Sequence, residues 1–444
     1  MSYPKIKVTP PGPKAKKIVD RDAAVISPSF GRAYPLVIER GEGSIVVDVD
    51  GNEFIDMNAG LAVCSVGHSH PKVVKAIKDQ VDKFIHYSYT DFYYDGYVDL
   101  GEKLHDLVPG DYKKKFFYGN SGAESIEAAM KVARWHTGRQ GYLAYIGSFH
   151  GRTFGAVSLT ASKPYQRARF APFIPGVEHI FYPYCYRCPF NLECPSCGYA
   201  CVDYIDEYLF HRYVPPEEVA MLMAEPIQGE GGYVVPPDGY FPKLKKLLDK
   251  YGILFASDEI QAGMGRTGKW FGIEHFGVVP DIVCIAKGIA AGMPLGVMAS
   301  RADIQDWKPG SHASTFGGNP VSCAAALAVL DIIKSENLLE NAQKQGKLIK
   351  DRLNEMKDEH PMIGDVRGKG LMVGVELVKD KTTKEYAQKE TGDVMMECFR
   401  NGLAIVNCGI NVIRWMPPLN ITSDLVEPAL EIFEKSLTKI EKGK

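Results

Sequence analysis

Asp281-Ile-Val-Cys-Ile-Ala-Lys-Gly288 is an apolar run that ends on a lysine, and upstream Ile253-Leu-Phe-Ala-Ser-Asp-Glu-Ile260 is a second apolar run that ends on carboxylates. Continuous rather than alternating hydrophobicity over this length reads as a strand buried on both faces, the pattern of a parallel sheet. Three further runs, at 115–118, 141–146 and 219–224, repeat it, and helical patterns at 125–136 and 240–251 lie between them. Strand and helix alternating in this way predict an α/β fold whose mostly parallel sheet is covered on both sides. Such sheets bind ligands beyond the carboxyl ends of their strands. Ser121, Phe149, Glu225, Asp258 and Lys287 follow those ends, one from each of five strands.

Outside this centre the pattern changes. Residues 1–45 read as irregular and proline-marked, after which 44–55 alternates and turns at Asp50-Gly51, as a hairpin does. Val73, Val74, Ile77, Val81 and Phe84 share one face of a helix that begins at Pro71. Asn319-Pro320 is a helix start, with Asn319 as cap and Pro320 at the first helical position. Residues 364–377 read as a turn and strand, and 425–440 as a closing amphipathic helix. The chain thus divides into 1–70 as the N-terminal segment of a small domain, 71–325 as a large domain with a cysteine-rich insertion at 185–201, and 326–444 as the C-terminal part of the small domain.

Composition narrows the partners. With 45% hydrophobic and 24% charged residues the chain is of ordinary globular type, and a formal net charge of −2 gives no electrostatic reason to expect nucleic acid or an anionic membrane. The longest weakly charged stretch, 282–300, is interrupted by Lys287, glycines and Pro294, so no membrane span is expected. Met1-Ser-Tyr-Pro-Lys-Ile-Lys7 lacks the apolar core of a signal peptide, which makes the cytoplasm the expected location. Five of the ten cysteines follow Cys185-x2-Cys188-x5-Cys194-x2-Cys197-x3-Cys201. Two Cys-x2-Cys pairs suit zinc or iron-sulfur, yet the gap between them is shorter than in a zinc ribbon, so disulfides, free thiols and a structural metal all stay open. No metal is expected at the reactive centre.

Gly119-Asn-Ser-Gly-Ala-Glu124 links a strand to a helix start, where unpaired amides of the first turn favour an anion such as phosphate. Lys287 offers an amine for an aldehyde, and Asp258 an anion for a ring nitrogen. Together these are the needs of pyridoxal phosphate. Gln261 could bond the ring oxygen and Phe149 could stack on the ring, although a core phenylalanine is the plainer reading of Phe149 alone. Gly263-Met-Gly-Arg-Thr-Gly268 matches a dinucleotide fingerprint, but the glycine-broken 269–277 cannot supply the required helix, so it reads as a loop.

Asp258–Gly268, Glu225-Pro-Ile-Gln-Gly-Glu-Gly-Gly232, Phe149-His-Gly-Arg-Thr153, Lys287-Gly288 and Ser314-Thr-Phe-Gly-Gly-Asn319 together resemble the class III (ω-amino-acid) aminotransferases. Within that family they are most similar to 4-aminobutyrate aminotransferases. The resemblance implies fold-type I, with a mostly parallel seven-stranded sheet in the large domain and a smaller α/β domain built from both termini. It also implies pyridoxal 5'-phosphate and a homodimer acting on amino and keto acids. It assigns Lys287 to the covalent cofactor link, Asp258 to the pyridine nitrogen and Gln261 to the ring oxygen. Ser121, Gly122 and Ala123 would cradle the phosphate, with Phe149 and Glu225 completing the cofactor site and Thr315 reaching across from the other subunit. Arg152 would bind the distal carboxylate of substrate, and Arg414 the α-carboxylate of glutamate, with Glu230 masking Arg414 in between.

The implied reaction moves the terminal amine of an ω-amino acid, 4-aminobutyrate first among them, to 2-oxoglutarate. Ornithine or lysine is the alternative donor, but Leu61 stands near the place where ornithine aminotransferases carry a tyrosine, and it offers no hydrogen bond. Racemases and epimerases of the same fold use an aspartate resembling position 230 as a second base; Glu230 is one methylene longer, and Arg414 is kept. Read as bare residues, Glu230 and Arg414 could equally be a plain ion pair. Ala123 stands where many relatives have serine, which leaves more of the phosphate binding to backbone amides.

Overall fold

The strands Val219–Ala224, Leu254–Asp258 and Ile282–Ile285 are buried at every position. Strands with no wet side belong at the centre of a doubly covered sheet, and in the computed structural model, which describes residues 3–443, these three are central in a sheet of seven. Met1, Ser2 and Lys444, the outermost residues of the two terminal segments, lie outside the described residues. Across the sheet the order is Lys114–Gly119, Gly296–Arg301, Ile282–Ile285, Leu254–Asp258, Val219–Ala224, Gly141–Tyr145 and Val177–Ile180. Neighbours from Ile282–Ile285 to Val177–Ile180 run parallel, whereas Gly296–Arg301 is antiparallel to both of its neighbours. This is the expected mostly parallel α/β sheet.

Helices cover both faces. Gly122–Thr137 starts on Ser121, whose hydroxyl accepts from Glu124 N at 3.2 Å, and ends on Gly138 at φ 70°. Tyr240–Tyr251 forms as predicted, and Pro320–Ser335 begins with Asn319 Oδ1 accepting from Val321 N at 2.9 Å. Pro71–Lys83 packs on Pro320–Ser335, but of its predicted apolar face Val73 is buried while Val81 and Phe84 are exposed in the single chain.

The N-terminal stretch departs from expectation: residues up to 45 are not irregular, because Pro13–Val25 is a helix and Ile38–Glu42 a strand. No residue at the helix start caps it; instead the Asp50 carboxylate, from the hairpin turn, accepts from Lys14 N and Ala15 N, each at 2.9 Å. A cap supplied from a distant turn leaves no local pattern to read.

Two smaller sheets flank the large one. Ile38–Glu42, Ile45–Asp48 and Glu53–Asp56 form an antiparallel ladder that Leu403–Ala404 joins in parallel, with Leu403 opposite Ile55. The chain's two ends therefore meet in one sheet. Ile363–Lys369, Met372–Leu377, Val412–Trp415 and Val406–Cys408 make the other, in which Gly374 pairs with Arg414. The predicted turn and strand at 364–377 is thus a full hairpin. Among the described residues no helix is long and apolar enough to cross a membrane.

Candidate active site

Five strand ends converge on one cavity of about 320 Å³, lined by Ser121, Gly122, Ala123, Phe149, Glu225, Asp258, Gln261 and Lys287. All eight are among the residues that the family resemblance assigns to the cofactor site. His150 and Val63 line it as well. The phosphate-type loop is pressed against its surroundings: a side chain on Gly296 would run into the Ser121 carbonyl, and one on Gly151, at φ 138°, would stand 2.8 Å from Ala123 Cβ. Only glycine permits that closeness.

Asp258, the last residue of its strand, is buried with His150; its Oδ2 lies 2.7 Å from His150 Nδ1, and Oδ1 accepts from Ile260 N at 3.0 Å. These partners fix the plane of the carboxylate. His150 is in turn held by its own backbone N–H, which donates to Thr160 Oγ1 at 2.9 Å. His150 carries no signal of its own in the sequence, although it sits inside the Phe149-His-Gly-Arg motif. Gln261 Oε1 accepts from the Tyr233 hydroxyl at 2.9 Å, so the NH2 is the end with donors to offer.

Glu225 accepts from Phe149 N at 2.9 Å and Gly229 N at 2.8 Å, which ties together the two loops carrying Phe149 and Glu230. Burial, with Asp258 nearby, pushes its carboxyl up to about 7. Lys287 sits in a short turn at φ 49°, two residues beyond Ile285. Burial holds its ammonium below the usual lysine range, with Arg414 adding to the effect and Asp258 and Glu230 opposing it. A lysine biased toward the free amine is a competent nucleophile and base.

Glu230 and Arg414 do meet. Arg414 Nη1 lies 2.5 Å from Glu230 Oε1, and Arg414 is 6% exposed. Lys163 Nζ, unnoticed in the sequence, lies 3.3 Å from the other oxygen, Oε2. Burial alone would raise the Glu230 carboxyl, but Arg414 and then Lys163 outweigh it and hold it at about 2. Glu230 O accepts from Gly409 N at 2.8 Å, and the Arg367 guanidinium donates to Gly232 O and Tyr233 O, so the small sheet that carries Arg414 is bonded directly to the Glu230 loop.

The remaining predicted residues lie outside the cavity lining. Arg152 is exposed, with its guanidinium 5.5 Å from the centre of the Phe149 ring. Leu61 is 49% exposed in a left-handed conformation at φ 66°, and Thr315 is exposed. Asp281, the would-be ribose ligand, accepts from Phe255 N and pairs with Arg301, and 263–268 is a run of turns. All ten cysteines are free thiols, and the five between 185 and 201 line a separate small cavity. Among the described residues no group of three or more His, Cys, Asp or Glu is placed to hold a metal ion. The insertion is fastened by Arg187 Nε to Glu376 at 2.5 Å.

Pyridoxal phosphate fits the cavity by its chemistry. Helix-start amides and small residues serve a phosphate, a buried, oriented carboxylate serves a ring nitrogen, and a lysine held below its usual range serves an aldehyde. A model of the family "Aminotransferase class-III" matches residues 27–437. An alanine/serine racemase of Pyrococcus horikoshii is 44% identical over 455 residues, covering 100% of this chain and 94% of its own length. A 4-aminobutyrate aminotransferase of Mycobacterium tuberculosis is 39% identical, covering 95% of each chain. A solved amine transaminase from an uncultivated Pseudomonas species, in its PLP-bound form, superposes with a TM-score of 0.86 at 31% identity, over 93% of this chain and 98% of that one. The strand-end cavity and the near end-to-end likeness have one common explanation: the chain belongs to the class III aminotransferase family and is a pyridoxal-phosphate enzyme.

Proposed function

We propose that the protein transfers the terminal amino group of an ω-amino acid, 4-aminobutyrate by preference, to 2-oxoglutarate, giving glutamate. In this reading it acts as a homodimer, with Thr315 of each subunit reaching the cofactor phosphate of the other, and with 71–325 as the large domain between the small-domain segments 1–70 and 326–444. The observation that carries the reading is the enclosed pair of Glu230 and Arg414 at 2.5 Å. An ω-amino acid carries one carboxylate, far from the reacting amine, so a bare guanidinium beside its reacting carbon would be a desolvated, unpaired charge. Glu230 neutralises it. A dicarboxylate brings its own anion for Arg414 and displaces Glu230, so one site serves both halves of the exchange.

Ser121, Gly122 and Ala123 would hold the phosphate, Phe149 would cover the ring, and Gln261 NH2 would donate to the ring oxygen, while Glu225 keeps the surrounding loops in place. Asp258, oriented by His150, would keep the ring nitrogen protonated. Bound pyridoxal phosphate supplies the electron sink for the carbanion left when substrate loses a proton. Lys287 Nζ would take that proton from the amine-bearing carbon and deliver it, on the same face, to a different carbon rather than back to the first. Arg152, exposed beside Phe149, would bind the distal carboxylate.

Likeness to an alanine/serine racemase favours a second reading, racemisation. That reaction needs a second base facing Lys287, with Glu230 as the candidate. A carboxyl held at about 2 between two cations is a poor proton acceptor, which supports transamination. The deciding experiment supplies 4-aminobutyrate and 2-oxoglutarate and measures glutamate, in parallel with chiral analysis of single L-amino acids. Glutamate formation is expected. Loss of optical activity without a keto acid product would replace this reading by racemisation, and much faster turnover of ornithine or lysine would replace the donor.

A further inference from the structure

Glu230 has two carboxylate oxygens, and each faces a different cation: Oε1 meets Arg414 at 2.5 Å and Oε2 meets Lys163 at 3.3 Å. Masking Arg414 needs one anion and one cation. The second cation has no part in that and works against it, because it draws the same carboxylate the other way. Lys163 is also firmly placed. Pro164 follows it and restricts it to extended backbone, observed at φ −149° and ψ 136°. Its carbonyl accepts from Gln166 N at 3.1 Å, and Ala161, two residues earlier, exchanges backbone bonds with Gly147 and Ser148 at the root of the Phe149 loop. Its side chain is 19% exposed and that of Glu230 20%, so the contact lies mostly out of water.

We propose that Lys163 is the positioning residue that holds Glu230 when a substrate carboxylate takes Arg414. This rests on the reading that Glu230 masks Arg414. Opening that mask breaks the contact at Oε1, and a displaced carboxylate with no second partner would be left as an unpaired, mostly enclosed charge. With Lys163 on Oε2 it keeps a counter-ion throughout, pivoting about that contact rather than leaving the site. Lys163 thereby makes dicarboxylates easier to bind and leaves monocarboxylates, which do not move Glu230, much less dependent on it. Specificity for the acceptor is then set partly by a residue that never touches it.

The test uses the holoenzyme with glutarate as an unreactive dicarboxylate, butyrate as a monocarboxylate, and single-turnover half-reactions with glutamate and 4-aminobutyrate. Lys163→Met should weaken glutarate binding and slow the glutamate half-reaction by roughly tenfold to a hundredfold, well beyond its effect on butyrate and 4-aminobutyrate. Lys163→Arg should restore most of the loss. In a Glu230→Gln background, where no anion remains to be held, adding Lys163→Met should change glutarate binding no further. Equal losses on both substrate classes, or an undiminished loss in the Glu230→Gln background, would overturn the proposal; the latter would mean that Lys163 binds substrate itself. If the wild type makes no glutamate from 4-aminobutyrate yet binds glutarate in a Lys163-dependent way, the donor assignment fails and the role of Lys163 stands. Glutarate binding indifferent to Lys163, with normal glutamate production, gives the reverse.

Discussion

Replacing Glu230 by glutamine removes the negative charge that Arg414 and Lys163 share while leaving the side chain's length and shape almost unchanged. Arg414 is 6% exposed and its bond to Glu230 is 2.5 Å, so the variant leaves a largely buried guanidinium without an anion. Breaking a fully buried pair costs about 3–5 kcal/mol. Glu230 keeps 20% of its side chain in water, and solvent screening of that part lowers the differential to about 1.4–2.7 kcal/mol, a tenfold to hundredfold effect. The sign differs between the two halves of the exchange. A substrate with an α-carboxylate now meets an arginine already free, so its apparent affinity should rise. An ω-amino acid must react beside an uncompensated cation, so kcat/KM for 4-aminobutyrate should fall by that tenfold to hundredfold. Stopped-flow absorbance of each half-reaction separates the two. If both change in parallel, Glu230 is a structural ion pair and the masking argument is wrong.

Other consequences are independent of that one. His150→Ala removes the 2.7 Å partner of the buried Asp258 carboxylate, and loss of such a charge-assisted bond should weaken cofactor retention by about tenfold to a hundredfold, read from cofactor released on dialysis. Arg152→Ala should impair 4-aminobutyrate and glutamate far more than simple alkylamines; equal loss on both would reject its carboxylate role. Because the Glu230 carboxyl is depressed to about 2 from 4.5, the pair contributes stability fully above 4.5 and loses it as pH falls from 4.5 toward 2, so the preference between glutarate and butyrate should be flat across neutral pH. Glu230→Asp shortens the side chain by about 1.5 Å and loosens its hold on Arg414, so it should raise basicity at that position and racemise L-alanine above the wild-type background, checked by chiral chromatography.

Legibility followed burial and locality. The strands Val219–Ala224 and Ile282–Ile285 were readable because burial on both faces demands an unbroken apolar run. Val177–Ile180, at the sheet edge with Glu178 and His179 inside it, has no such demand and left no run to find. The Pro13–Val25 helix was missed because its cap comes from Asp50. Within the site, Asp258 and Lys287 announced themselves as charges at the ends of apolar strands, and His150 was present in a quoted motif but without a signal of its own. Lys163 could not be read, since its partner lies 67 positions away and nothing in Thr-Ala-Ser-Lys-Pro marks it as facing a carboxylate. Arg414 and Glu230 came from resemblance alone; the pairing between them is tertiary.

Relatives that carry racemase and aminotransferase names at about the same identity pose a physical question, because Lys287 and Asp258 would serve both reactions alike. Both begin with removal of one proton by the lysine. They part at the next proton, which returns to the same carbon from the opposite face in racemisation and goes elsewhere in transamination. The opposite face can deliver a proton only if a group there can carry one near neutral pH, and a carboxylate between Arg414 and Lys163 is held in its charged form far below that. Both cations make Glu230 a poor base; of the two, Arg414 is the one it masks, and Lys163 is the partner it keeps when the mask opens. On the reading proposed above, the positive charges that hold the acid at 230 bear on the choice between the reactions as well as the acid itself, and Glu230 meets two of them.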